Sequence, residues 1–159
     1  MLRDRIVMIT GASAGIGEAC ARAFAREGAR LILAARRTDR LETLAADLGV
    51  PVLALALDVR DRALVEAAVA DLPDAWRDVD VLVNNAGLSR GLEPVQEGDP
   101  ADWEEMIDTN VKGLLWITRA VLPGMVARDR GHVINIGSVS GHDVYPGGAV
   151  YCGTKFAVH

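Results

Sequence analysis

The sequence predicts an α/β fold, a doubly wound parallel sheet with helices on both faces. Three observations carry that prediction. Five short runs are almost continuously apolar instead of alternating with polar residues, as strands covered on both faces are. Segments with helical apolar spacing separate them, in the order β-α-β-α-β-α-β-α-β-α. The first strand also runs through a glycine-rich turn directly into a helix, the place where such folds hold phosphate groups.

The first predicted strand is Arg5 to Thr10, ending at Gly11. In the helix that follows, Ile16, Cys20, Ala23 and Phe24 share one face, and Gly28 closes it. The second strand, Arg30 to Ala35, leads to a helix over Thr38 to Leu48 with Leu41, Leu44, Ala45 and Leu48 on its stripe. The third, Val52 to Leu57, leads to a helix over Arg62 to Leu72 with Leu64, Val65, Ala68 and Val69 on its stripe. The fourth strand spans Val79 to Asn84. The longest helix begins at Asp99-Pro100, an N-cap followed by proline at the first helical position. Its stripe runs from Trp103 through Met106, Ile107, Asn110, Leu114, Ile117 and Val121 to Met125, and Pro123 predicts a kink or an early end. The fifth strand is His132 to Gly137, and a last helix starts near Ala149. Right-handed crossovers then give a Rossmann-like sheet of five strands in one domain, residues 1–159.

Composition narrows the function. A length of 159 residues suits one domain, and 50% apolar with 25% charged residues argues against disorder. The net charge of −5, with no block of like charge, argues against a general nucleic-acid or anionic-membrane binder. No apolar run approaches the ~20 residues of a membrane span, and the N-terminus lacks the pattern of a secretory signal. Cys20 and Cys152 form neither a disulfide framework nor a metal knuckle, and the histidines have no metal-ligand spacing. The expectation is a cytoplasmic protein with free thiols and no metal.

The chemistry concentrates at predicted strand ends. In Thr10-Gly11-Ala12-Ser13-Ala14-Gly15-Ile16-Gly17, Gly11 permits the tight turn, Gly15 lets backbone approach a pyrophosphate, and Gly17 lets the helix pack close to the strand. Gly11, Ser13, Gly15, Ile16 and Gly17 are therefore candidate phosphate-binding residues. After the second strand, where an acid would bond an NAD ribose, the chain reads Arg36-Arg37. Two guanidinium groups suit a 2′-phosphate and predict NADP; the alternative is the start of a solvated helix. Tyr151 and Lys155, four apart, share one helix face, and a nearby ammonium favours the phenolate of a tyrosine whose ordinary pKa is ~10. Such a pair can exchange a proton with a hydroxyl or carbonyl oxygen. Ser138 follows the fifth strand at the ligand-binding edge. Asn110 lies in an apolar stripe, where a buried amide needs partners, either backbone or a catalytic water.

The spacing TGxxxGxG, the run Asn84-Asn85-Ala86-Gly87 and the set Asn110, Ser138, Tyr151 and Lys155 resemble the short-chain dehydrogenase/reductase family, from Arg5 to the last residue. The resemblance implies that Asp58, followed by Val59, lies beside the adenine; by its residue type alone Asp58 could cap the next helix. It implies that Asn84, Ala86 and Gly87 shape the cleft floor, with Asn84 partly structural. It implies further that Ser138 donates to the substrate oxygen, Tyr151 takes the hydroxyl proton, Lys155 holds the nicotinamide ribose, and Asn110 holds a water linked to the lysine.

The stretches around Asp102 to Asn110 and Thr118 to Val126 are similar to NADP-dependent 3-hydroxy acid dehydrogenases that oxidise serine and allo-threonine. The expected function is hydride transfer between NADP and the C–OH or C=O of a small 3-hydroxy acid. The alternatives are a 3-oxoacyl carrier-protein reductase, or a noncatalytic nucleotide-binding fragment. Family members run longer, so the chain is expected to be incomplete at its C-terminus, and the complete protein to be a homodimer or homotetramer.

Overall fold

The computed structural model describes residues 2–159. Five strands form one sheet: β1 (Ile6–Thr10), β2 (Arg30–Ala35), β3 (Val52–Ala56), β4 (Val81–Asn84) and β5 (His132–Asn135). Their spatial order is β3-β2-β1-β4-β5, and every neighbouring pair is parallel. The chain winds outward from β1 to β3 and then crosses back to β4 and β5. The order therefore reverses between β1 and β4, and a crevice opens at the carboxyl ends of the strands there.

Six helices flank the sheet: α1 (Gly15–Arg26), α2 (Thr38–Leu48), α3 (Arg62–Ala70), α4 (Pro100–Ile107), α5 (Leu114–Ala127) and α6 (Ala149–Val158). Strand periodicity sorts the core onto two faces. Val7 and Ile9 of β1 pack with Ala21 and Ala25 of α1 and Leu41 and Leu44 of α2. Ile6 and Met8 pack on the opposite face with Val65 of α3 and Ile117, Val121 and Met125 of α5. Both faces are thus apolar, which is why the strands read as continuous runs, and each buried Val, Leu, Ile or Met side chain contributes about 1.5–3 kcal/mol. Among the described residues, no helix is long and apolar enough to cross a membrane.

Two helix starts follow their local chemistry. The Asp99 carboxylate accepts from the Ala101 N–H at 2.9 Å, with Pro100 opening α4. The cap of α3 is Asp61, which accepts from the Leu64 N–H at 3.0 Å, and not Asp58.

The long helix expected from Asp99 to Met125 is two helices joined by a π-helical turn, Asp108–Gly113. A wide turn inserts an extra residue and shifts the stripe, which a 3.6-residue period does not reveal. Gly113 belongs to that turn because a Cβ there would overlap the Val59 side chain at 2.6 Å. Pro123 does not end its helix, and α5 continues to Ala127. Pro123 lies on the exposed face, where an unpaired carbonyl can bond water.

Candidate active site

The crevice at the carboxyl ends of the strands is a cleft of about 520 Å³. Each strand end contributes to its wall, and Tyr151 and Lys155 of α6 close one side.

The β1–α1 loop forms the floor under the switch point. Gly15 has φ +59°, and a Cβ built there meets nothing within 4 Å, so its backbone is open to the cleft. Gly17 faces the other way: a Cβ would overlap the Gly11 carbonyl oxygen and the Asn85 amide. It supports the loop from behind and does not line the cleft, whereas Gly11, Ser13 and Ile16 do. Residue Ala14, at the N-cap of α1, provides no side-chain cap. The first-turn N–H groups and the positive end of a twelve-residue helix therefore remain available to an anion.

Arg36 and Arg37 both line the cleft at the end of β2. They precede α2, which begins at Thr38. Arg37 donates to the Ser13 hydroxyl from Nε at 3.3 Å and Nη2 at 3.0 Å, tying the second strand end to the loop. Arg36 is exposed and lies 3.8 Å from the Glu105 carboxylate. Beyond β3, Asp58 and Val59 line the same end. Asp58 accepts from the Arg60 backbone N–H at 3.0 Å and from Arg60 Nη2 at 2.6 Å, and that guanidinium holds its carboxyl below the usual range.

The two asparagines after β4 point to different tasks, as neighbours on a strand do. Asn84 turns into the protein and donates to Thr118 Oγ1 at 2.8 Å and Asn135 Oδ1 at 2.9 Å; it does not line the cleft. Asn85, absent from the sequence-based candidates, lines the cleft and donates to the Thr10 and Gly11 carbonyls at 2.9 and 3.2 Å. The Thr10 hydroxyl returns the link by accepting from the Asn85 and Ala86 N–H groups. Ala86 and Gly87 line the cleft, followed by Leu88 and Ser89. Strand-end position alone would have found Ala35, Leu57 and Asn85 as well.

On the α6 side, Tyr151 and Lys155 face the cleft together, with the Lys155 Nζ 5.9 Å from the tyrosine ring centroid. The Lys155 ammonium is buried and donates to the Ile136 carbonyl at 3.0 Å. Burial pushes its pKa below the ordinary lysine value of 10.5. Asn110, in the π-helical turn, does not line the cleft but lies behind it. Its amide bonds Leu88 twice, accepting from N–H at 2.9 Å and donating to C=O at 2.8 Å, and also donates to Thr154 Oγ1 at 3.0 Å. Asn110 thus stitches the loop after β4 to α6. Ser138 follows the cleft-lining Gly137 but does not itself line the cleft, and its hydroxyl accepts from the Ser140 N–H at 3.1 Å.

The arrangement combines an anion site, a basic strand end and a buried lysine beside a tyrosine in one cleft. That set can hold a phosphorylated nucleotide and move a proton next to it.

Known proteins share this fold. The NADP-dependent 3-hydroxy acid dehydrogenase of Salmonella typhi is 57% identical over 150 residues, covering 94% of this chain and 60% of the relative. Serine 3-dehydrogenase of Agrobacterium fabrum is 48% identical over 149 residues, covering 94% and 59%. The chain thus spans about 60% of the length of the curated relatives it matches. The crystal structure of serine dehydrogenase from Escherichia coli superposes with a TM-score of 0.93 at 52% identity, covering 96% of this chain and 71% of that one. A closed form of serine dehydrogenase complexed with NADP+ gives 0.94 at 52% identity, covering 96% and 62%. The short chain dehydrogenase profile matches residues 5–159, and the chain belongs to that family.

Proposed function

We propose that this chain carries the cofactor site and the proton-transfer residues of an NADP-dependent oxidoreductase acting on a small 3-hydroxy acid such as serine or allo-threonine. The observation that carries the reading is the single cleft shared by the open Gly15 loop, the Arg36-Arg37 pair and the Tyr151–Lys155 pair. The names of the relatives, an NADP-dependent 3-hydroxy acid dehydrogenase and a serine 3-dehydrogenase, support both the cofactor and the substrate class.

The residues present suit NADP. The uncapped α1 N-terminus and the open Gly15 backbone suit the pyrophosphate, and Arg36 with Arg37 suits the 2′-phosphate. Bound there, the cofactor would supply the carbon that accepts or gives hydride. The chain's own part is the proton. Tyr151 exchanges it with the alcohol or carbonyl oxygen, and the Lys155 ammonium, held on the Ile136 carbonyl, stands beside its ring. Ser138 supplies a second hydroxyl for the same oxygen, and Asn110 keeps α6 in register with the loop after β4.

The test is binding and turnover with the full-length protein. NADP is expected to bind at least about tenfold more tightly than NAD, a difference of about 1.4 kcal/mol. Oxidation of L-serine is expected to exceed that of 3-hydroxybutyrate. Tighter NAD binding would refute the arginine reading. Faster reduction of an acetoacetyl thioester would favour a 3-oxoacyl carrier-protein reductase instead.

A further inference from the structure

Glu105, on α4, does not line the cleft, yet it gathers three arginines that come from the segments after three different strands. Its Oε1 accepts from Arg60 Nη1 at 3.2 Å and lies 3.8 Å from Arg36 Nη1. Its Oε2 accepts from Arg90 Nε at 2.9 Å. The carboxylate side chain is 20% exposed, so these contacts are only partly screened by solvent.

The three guanidiniums are not held equally. Arg60 also has the Asp58 carboxylate at 2.6 Å, and Arg90 has a full hydrogen bond to Glu105. Arg36 has neither. Its one ion pair among the described residues is the 3.8 Å approach to Glu105, too long for a hydrogen bond. The carboxylate therefore holds Arg36 near the cleft wall by charge without engaging its N–H donors. A guanidinium localised with its donors unspent is ready for a phosphate ester, which carries close to two negative charges at neutral pH. Removing Glu105 would leave Arg36, Arg60 and Arg90 repelling one another. Arg36, whose other acidic neighbour, Asp58, is engaged by Arg60, would then be held less firmly at the wall.

We infer that Glu105 is a positioning residue for 2′-phosphate recognition, acting through Arg36. The inference rests on the NADP reading above and goes beyond it by assigning selectivity to a residue outside the cleft.

The test uses adenosine 2′,5′-bisphosphate and 5′-AMP as probes of the adenine end alone, with affinities measured by calorimetry on the full-length protein. Glu105→Gln keeps the shape and removes the charge. It should weaken the bisphosphate about fivefold to tenfold while leaving 5′-AMP within about twofold, a split that a general loss of packing would not produce. In an Arg36→Ala background the same substitution should have no further effect, because the two residues act as one unit. Unchanged or tighter bisphosphate binding by Glu105→Gln, or a full effect without Arg36, overturns the inference. If the parent protein does not prefer the bisphosphate, the NADP reading itself falls; if Arg36→Ala leaves the preference intact, Arg37 alone reads the phosphate and the inference is overturned. Loss of preference in Arg36→Ala with retention in Glu105→Gln removes only the role of Glu105.

Discussion

The two ends of the cleft are built by different means. At the β1–β3 end the groups offered to a ligand are mainly backbone N–H groups and guanidiniums, shaped by a glycine turn whose conformation follows from residue type. At the β4–β5 end the polar side chains are already engaged with the protein. Asn110 spends its amide on Leu88 and Thr154, Lys155 donates to Ile136, and the Ser138 hydroxyl accepts from Ser140. The first end is built for affinity, because preformed donors meet an anion with little loss of side-chain freedom. The second is built for placement, since Asn110 and Lys155 are each bonded to another element and the Ser138 hydroxyl to its own turn. Damage to the two ends should therefore separate binding from turnover.

The largest expected separation comes from Tyr151→Phe in the full-length protein. The ring that lies beside Lys155 is kept and only the hydroxyl is lost. Turnover should fall about 10²–10⁴-fold, the range for losing a general acid–base group, while the NADP dissociation constant stays within about twofold. Steady-state rates and direct cofactor titration check both halves of that statement. Retained turnover would remove Tyr151 from the proton path.

The sequence revealed the two ends unequally, for the same physical reason. Apolar runs and the glycine turn report backbone placement directly, so β1, β2 and the turn through Gly11 and Gly15 could be read from residue type, whereas Gly17, a candidate phosphate contact by sequence, stands behind the loop. Side-chain engagement is a tertiary property. Nothing local distinguishes Asn84, which turns inward to Thr118, from Asn85, which lines the cleft. Asp61 stands directly before the expected helix start at Arg62, the ordinary N-cap position, so local sequence favoured it over Asp58, which bonds Arg60 instead. The π-helical turn at Asp108–Gly113 was hidden because the apolar spacing around it is compatible with an unbroken helix. The Glu105 cluster joins residues separated by up to 69 positions, and no spacing rule links them.

An intermediate effect tests the backbone end. Gly17→Ala must push the new methyl into the Gly11 carbonyl and the Asn85 amide, both part of the hydrogen-bonded floor. A destabilisation of about 1–3 kcal/mol is expected, with loss of cofactor binding because the loop shifts. Gly15→Ala is the sharper companion. Its methyl enters open space, so the penalty is only that of an L-residue at positive φ, about 1–2 kcal/mol. That methyl nevertheless projects where a ligand must approach, so binding should suffer more than stability. Thermal melts paired with NADP titrations compare the two variants. A lower melting point for Gly15→Ala than for Gly17→Ala would contradict the assignment of open and closed faces to this loop.

The smallest effect concerns the cost of holding a charge at the placement end. Burial lowers the pKa of Lys155 below 10.5, so between the folded value and 10.5 the unfolded chain binds more protons than the folded one. Stability from this group therefore rises with pH across that window, as the buried ammonium loses its charge. Lys155→Met fills a similar volume without a titrating group. Its stability relative to the parent should be greatest near neutral pH and should decline as pH rises toward 10.5. Chemical denaturation of both proteins at about pH 7 and about pH 10 measures that change. A gap that does not narrow would mean that the bond to the Ile136 carbonyl and the neighbouring ring offset the desolvation of the ammonium. The placement end would then hold its charge at no cost in stability, and the contrast between the two ends would be one of geometry alone.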